Sequence, residues 1–180
     1  MGSVNAGVVT DFTDEYDVAN WTQSLNGGSI NLSAAPFSIM EISSNTGNGF
    51  AMTDFTIAAV QDGLVAFTWL YSTEEGESDF DPFGWLLNGS FIKLTNGALN
   101  AQTDRAEFSV TKGDTFGFRT ISIDSKFGSS TTIISDFSVS SADPTSNSDP
   151  TSNPIPEPTS LALFGLGFAG LSLVKRRRET

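Results

Sequence analysis

The chain has 180 residues, neither cysteine nor histidine, and 21 acidic against nine basic residues, for a formal net charge of −12 at pH 7. The two absences exclude disulfides, Ser-His and Cys-His catalytic pairs, and zinc or copper sites built on imidazole or thiolate ligands. Residues 1–153 hold five basic against 19 acidic residues, and a surface of that charge repels nucleic acid. Metal cations and neutral glycans remain as classes of partner.

The first six residues are too few to contain the apolar stretch of a signal peptide. Val4-Asn5-Ala6 nevertheless fits the small-residue pattern that precedes a signal-peptide cleavage point. We expect residues 1–6 to be a remnant of such a peptide or a displaced start, with an ordinary flexible N-terminus as the alternative.

Residues 7–140 alternate apolar and polar side chains between frequent turn signals, the pattern of strands with one buried face. Asn88-Gly89 is typical of a two-residue type I′ hairpin. The pattern predicts an all-β domain, an antiparallel β-sandwich of jelly-roll-like type. The predicted strands are Val8–Phe12, Ser29–Ser33, Ser38–Ser43, Met52–Ala59, Leu64–Tyr71, Gly84–Leu87, Ser90–Leu94, Glu107–Thr111, Thr115–Ile123 and Thr131–Val139.

The densest acidic cluster lies at 74–81, where five of eight residues are carboxylates. Several carboxylate oxygens in one segment can supply part of the six to eight ligands that Ca²⁺ takes. A solvated acidic loop is the alternative, and the spacing is not that of an EF-hand. Paired carboxylates are also required for glycoside hydrolysis, although the chain is small for a glycosidase with a cleft.

The three tryptophans are candidates for a surface on which a sugar ring stacks. Trp69 and Trp85 fall within apolar strands and are expected in the core. Trp21 lies in a more polar segment and is the better candidate for exposure.

Residues 141–154 contain a tandem copy of Asp-Pro-Thr-Ser-Asn. Proline removes backbone donors, and Ser, Thr and Asn supply no core, so we expect a disordered, extended linker here.

The last 26 residues have three parts, in a fixed order. Pro156, Glu157 and Pro158 come first, an uncharged and mostly apolar run follows at 159–174, and a basic cluster of Lys175, Arg176, Arg177 and Arg178 ends it. The run predicts one short transmembrane helix that spans by snorkelling and local thinning of the bilayer, with a buried core helix as the alternative. The basic cluster stays cytoplasmic, which places the preceding domain outside.

Together these three parts resemble the PEP-CTERM sorting signal of bacterial exported proteins. The resemblance implies that exosortase, a membrane protease-transpeptidase, recognises the tail transiently at Pro156, Glu157 and Pro158 and cleaves near them. The chain would then be anchored in the inner membrane before processing, and would be at the cell surface or extracellular afterwards.

A second resemblance concerns the domain. The stretches 67–69, 81–89 and 113–118 are similar to β-sandwich ectodomains found ahead of PEP-CTERM tails, and 123–137 is similar in cadence to the end of CUB-type sandwiches, although the CUB disulfide cysteines are missing. The CUB-type resemblance implies a Ca²⁺ site at Glu75, Asp81 and Asp124, with Asp79 as the reserve.

The leading hypothesis is a non-enzymatic, exosortase-sorted surface or matrix protein whose sandwich is a binding or structural module of the extracellular matrix, associated with the exopolysaccharide of a biofilm. The alternatives are a small carbohydrate-active hydrolase and a calcium-dependent adhesive module.

Overall fold

The computed structural model describes residues 7–141. The predicted signal-peptide remnant, the sorting tail and all of the linker beyond Ser141 lie outside this range. Within residues 7–141 no helix is long and apolar enough to cross a membrane, and the span predicted at 159–174 is not among them.

The described residues form two antiparallel sheets, which confirms the predicted all-β antiparallel class. The strands are β1 (Val8–Thr10), β2 (Thr22–Ser24), β3 (Ser29–Asn31), β4 (Ser38–Ile42), β5 (Ala51–Ala58), β6 (Gly63–Thr73), β7 (Phe83–Leu87), β8 (Ser90–Lys93), β9 (Ala101–Val110), β10 (Thr115–Ser122) and β11 (Ser130–Ser141). One sheet has the order β3-β4-β11-β6-β9, with β1 also paired to β11, and the other has the order β2-β5-β10-β7-β8. Every pairing is antiparallel.

All ten predicted strands are present, and the boundaries differ where the pattern is polar. Strand β9 begins at Ala101, six residues before its predicted start. Its first half was missed because those residues are mostly exposed and show no apolar alternation, although their backbone pairs with β6. Strand β2 was not predicted, because its three residues are all exposed and carry no alternation. Asn88 and Gly89 have φ of 50° and 82° and join paired strands, as the predicted hairpin requires.

The inner faces of the two sheets enclose one core that is rich in aromatic rings. Trp21 lies at its centre, stacked on Phe55 and Phe118 at ring-centroid distances of 4.6 and 5.6 Å. Its indole Nε1 donates a hydrogen bond to the Tyr16 carbonyl at 2.9 Å. Trp21 is only 7% exposed, so its interpretation as a candidate for exposure is wrong. The short 3-10 helices at Asp14–Tyr16 and Val18–Asn20 come directly before Trp21 in the chain, and Tyr16 of the first helix is also buried.

The other two tryptophans belong to the core, as predicted. Trp69 is 4% exposed, and Trp85 packs flat on Phe108 with a centroid distance of 3.9 Å.

Toward one end of the sandwich the interior becomes polar. Glu41, on β4, is fully buried and accepts a hydrogen bond from the Thr120 hydroxyl of the opposite sheet at 3.1 Å. Burial raises the pKa of Glu41 well above its usual value, because a low-dielectric interior disfavours the charged form. Further buried hydroxyl and carboxyl groups continue from Glu41 to the loops described next, namely Ser43, Asp81, Ser122, Ser130 and Thr132.

Candidate functional site

Three loops meet at the polar end of the sandwich and are tied together by their backbones. Glu74 N donates to the Ser129 carbonyl at 3.3 Å, and Gly47 N donates to the Ser125 carbonyl at 2.6 Å. Ile123 N donates to the Phe80 carbonyl at 2.8 Å. The segments 44–50, 74–82 and 123–129 therefore form one continuous surface.

This surface contains a pocket of about 180 Å³ that is lined by Glu75, Gly76, Phe80, Asp124 and Phe127. We call it the loop-end pocket. It is smaller than the several hundred cubic ångströms of most small-molecule sites, so it has room for a single ring or a comparable group. Its lining combines two carboxylates with two phenyl rings.

The structure brings together the three acids predicted to bind calcium. Glu75 is 5% exposed and lines the pocket beside the half-buried Asp124. Asp81 lies beneath them, fully buried, and accepts hydrogen bonds from the Ser43 hydroxyl at 2.8 Å and from Ser130 N at 3.0 Å. The reserve residue Asp79 lies apart, on the surface, in an ion pair with Lys93 at 2.7 Å.

The charges of these three acids act on each other. Burial, followed by the negative charges of Asp81 and Asp124, raises the pKa of Glu75 to about 7. Burial also raises the pKa of Asp81, against the opposing effect of hydrogen bonds from Ser122, Ser43 and Ser130. Such perturbed acids are more frequent at functional sites than elsewhere.

The pocket acids have no ion-pair partner within the described residues. In residues 7–141 the ion pairs are Lys93–Asp79, Arg105–Glu107 and Arg119–Asp54, and none of them includes an acid of the pocket. Within the same range, Oε1 of Glu75 and Oδ1 of Asp81 are buried without a hydrogen-bond donor. Buried polar atoms normally have a partner, so the pocket can receive a donor or a cation.

The three acids are not gathered about one point. Within the described residues, no group of three or more acidic side chains is arranged to hold a metal ion. Coordination of Ca²⁺ by Glu75, Asp81 and Asp124 therefore requires side-chain movement, and the calcium hypothesis stays a prediction.

Three exposed phenylalanines, which sequence reasoning did not single out, stand in the three loops, and two of them, Phe80 and Phe127, line the pocket. Phe127 is 82% exposed, Phe50 is 60% exposed and Phe80 is 46% exposed. Phe50 directly follows Gly49, whose carbonyl accepts a hydrogen bond from the Ser125 hydroxyl at 2.6 Å. Each of the three stands in a loop, next to Gly or Asp, outside any alternating pattern, and that position is the signal that marks them.

The backbone at Phe127 is in the left-handed region, with a φ of 65°. For a bulky residue this conformation costs energy and is retained mainly where the surroundings require it. The strained loop projects the ring into solvent rather than into the core, which is the reverse of what a stabilising role requires.

The sorting residues predicted from sequence, Pro156, Glu157 and Pro158 with Lys175–Arg178, lie outside the described residues. Comparison with known families covers them directly: the PEP-CTERM protein-sorting motif matches residues 154–178. No curated protein matches the chain.

Solved structures similar to the chain include several carbohydrate-binding modules. A family 35 module from Clostridium thermocellum is 14% identical, with a TM-score of 0.39, over 76% of this chain and 100% of that one. The family 35 module of Abf62 from Cellvibrio japonicus is 14% identical, with a TM-score of 0.38, over 68% and 94%. TmCBM61, solved with β-1,4-galactotriose, is 9% identical, with a TM-score of 0.40, over 72% and 97%.

At these identities and scores, the likeness carries no information about the ligand of this chain. The match to the sorting motif does carry information about this chain, because it covers the tail that was predicted from the sequence. The chain is thus an all-β protein that carries a PEP-CTERM protein-sorting motif at residues 154–178.

Proposed function

We propose that this chain is an exported, exosortase-processed, non-catalytic protein whose sandwich binds saccharide at the loop-end pocket, as part of an extracellular polysaccharide matrix. The observation that carries the binding role is the pair of exposed rings that line the pocket, Phe80 and Phe127, beside Glu75, whose buried Oε1 has no hydrogen-bond donor within residues 7–141. Exposed apolar clusters on a soluble domain mark interaction sites. The C–H face of a sugar packs on phenyl rings, and its hydroxyls donate to carboxylates.

The size of the pocket supports binding rather than cleavage. A glycosidase holds sugar units on both sides of the bond that it breaks, between two carboxylates with separate roles. The loop-end pocket accommodates about one ring, which fits the end or a branch of a longer polysaccharide. The sorting motif implies export, and export supports a ligand that lies outside the cell.

Replacement of Phe127 by serine tests the binding role. A glycan array probed with the full chain identifies a saccharide, and calorimetric titration then measures its affinity. Phe127→Ser should weaken binding about tenfold or more, because burying a phenyl ring contributes about 1.5–3 kcal/mol. A left-handed backbone is unfavourable for a bulky residue, and the Phe127 ring is exposed, so the serine variant should keep the fold.

The matched control is Phe37→Ser, which removes a ring that is 70% exposed next to the opposite end of β4. It should leave the affinity unchanged. Equal losses in both variants, or no glycan bound at all, would contradict the proposed role. Cleavage of the bound glycan that disappears on replacement of Asp79 or Asp81 would establish a hydrolase instead.

A calcium-dependent adhesive module is the second candidate, favoured by the mutual interaction of Glu75, Asp81 and Asp124. Millimolar Ca²⁺ should then raise the melting temperature by several degrees, since a ligand at about 100 times its Kd adds about 2.7 kcal/mol of stability. Asp124→Asn should abolish the rise, whereas Asp104→Asn, which changes an exposed acid of β9, should retain it. An unchanged melting temperature with Ca²⁺ would eliminate this candidate.

A further inference from the structure

The charged residues around the loop-end pocket are mainly acidic. Glu75 and Asp124 line it, Asp81 lies below, and Glu74 and Glu77 occupy the same loop. Of the basic residues in the described range, Lys93, Arg105 and Arg119 are paired with other acids. Lys126 belongs to the segment 123–129, and its backbone N–H donates to Asp124 Oδ1 at 2.9 Å, but these five acids outnumber it. A ligand that enters this pocket meets a negative potential, which disfavours uronic acids and favours a cation.

The residues that line the pocket suit an ammonium group better than a calcium ion. Calcium requires six to eight oxygens at 2.3–2.6 Å around one point, and within residues 7–141 no three acids are arranged in that way. A primary ammonium needs less, because its three N–H donors reach acceptors that stand apart. The exposed faces of Phe80 and Phe127 add cation–π attraction to an ammonium group.

We propose that the ligand of the loop-end pocket is an amino sugar with a protonated, unacetylated amine, presented by a partly deacetylated polysaccharide. The ammonium group donates to Glu75, whose buried Oε1 has no donor within residues 7–141, and to Asp124. The sugar ring packs between Phe80 and Phe127. This proposal rests on the proposed saccharide-binding role and names the class of saccharide.

Three oligosaccharide series of equal length, based on glucosamine, N-acetylglucosamine and glucose, test it by calorimetric titration of the full chain in the presence of EDTA. The glucosamine series should bind at least about tenfold more tightly, because hydrogen bonds to charged groups contribute about 1.5–3 kcal/mol. Glu75→Gln should remove that preference, so that the three series bind the variant with similar affinities.

Glu107→Gln is the matched control, since Glu107 is an exposed acid of β9 that is paired with Arg105. It removes the same charge from the chain without touching the pocket, so the preference should persist. Equal affinity for all three series would overturn the amino-sugar proposal while the saccharide-binding role stood. A preference lost equally in both variants would show attraction by net charge alone and would also overturn it. No binding to any series or to the glycan array would remove the saccharide-binding role itself.

Discussion

A chain with Pro156, Glu157 and Pro158 replaced by alanine should keep its tail in a host that contains exosortase, whereas the unchanged chain should lose it. Proline is disfavoured within helices and central strands and biases the residue before it toward an extended backbone. By the resemblance to PEP-CTERM signals, Glu157 between the two prolines supplies a carboxylate for recognition. Because three alanines remove both features, we expect an all-or-none effect on processing.

The measurement is the intact mass of chains expressed with an added signal peptide, in matched hosts with and without exosortase. Pro144→Ala, Asp149→Ala and Pro150→Ala together make the control, because they change the same residue types within the linker. This control should be processed like the unchanged chain. Loss of the tail from the alanine variant, or retention of the tail by the unchanged chain in the exosortase host, would refute the sorting assignment.

Trp21→Ala should cost about 3–5 kcal/mol of stability, as large-to-small substitutions of buried aromatic residues do. The indole ring lies between Phe55 and Phe118 and has edge contacts with further rings. Its removal opens a cavity at the meeting point of the two sheets and leaves the Tyr16 carbonyl without its donor. The free energy of unfolding of a domain of this size is about 5–15 kcal/mol, so the variant should lose a large part of its stability.

Guanidinium unfolding followed by far-ultraviolet circular dichroism measures this loss without relying on tryptophan fluorescence. Trp21→Phe should cost less than the alanine variant, because it keeps a ring in the stack. Phe37→Ala, an exposed ring outside the core, should change stability by less than about 0.5 kcal/mol. A cost below about 1 kcal/mol for Trp21→Ala would show that the stack does not hold the sheets together.

The strands were predictable because their pattern is local, whereas the order of the strands was not. Phe116 and Phe118 point inward from β10 while Gly117 and Arg119 point outward, and this alternation is visible in the sequence. In contrast, β11 pairs with β1, β4 and β6, and even the nearest paired residues, Thr73 and Ser130, are 57 positions apart along the chain. No local signal encodes such partners, because pairing between distant strands is decided by how the whole interior packs.

The candidate site was predictable only in part, for the same reason. Glu75 and Asp81 belong to one acidic segment, but Asp124 joins them only when two distant loops meet. Phe127 was missed because an exposed phenylalanine cannot be distinguished from a core residue by its type. The buried Glu41 was also missed, since a carboxyl group in the middle of an alternating strand has no signature of its own until Thr120 is placed opposite.

The length of β11 sets the distance between the loop-end pocket and Ser141, the last residue that the structure describes. The strand begins at Ser130, whose backbone N–H contacts Asp81 beneath the loop-end pocket, and ends at Ser141 beside Gly7. Its twelve residues extend roughly 35–40 Å at about 3.3 Å per residue. Ser141, the last described residue, therefore lies at the end of β11 that is remote from the loop-end pocket, and a pull applied at Ser141 acts along the longest strand of the described residues.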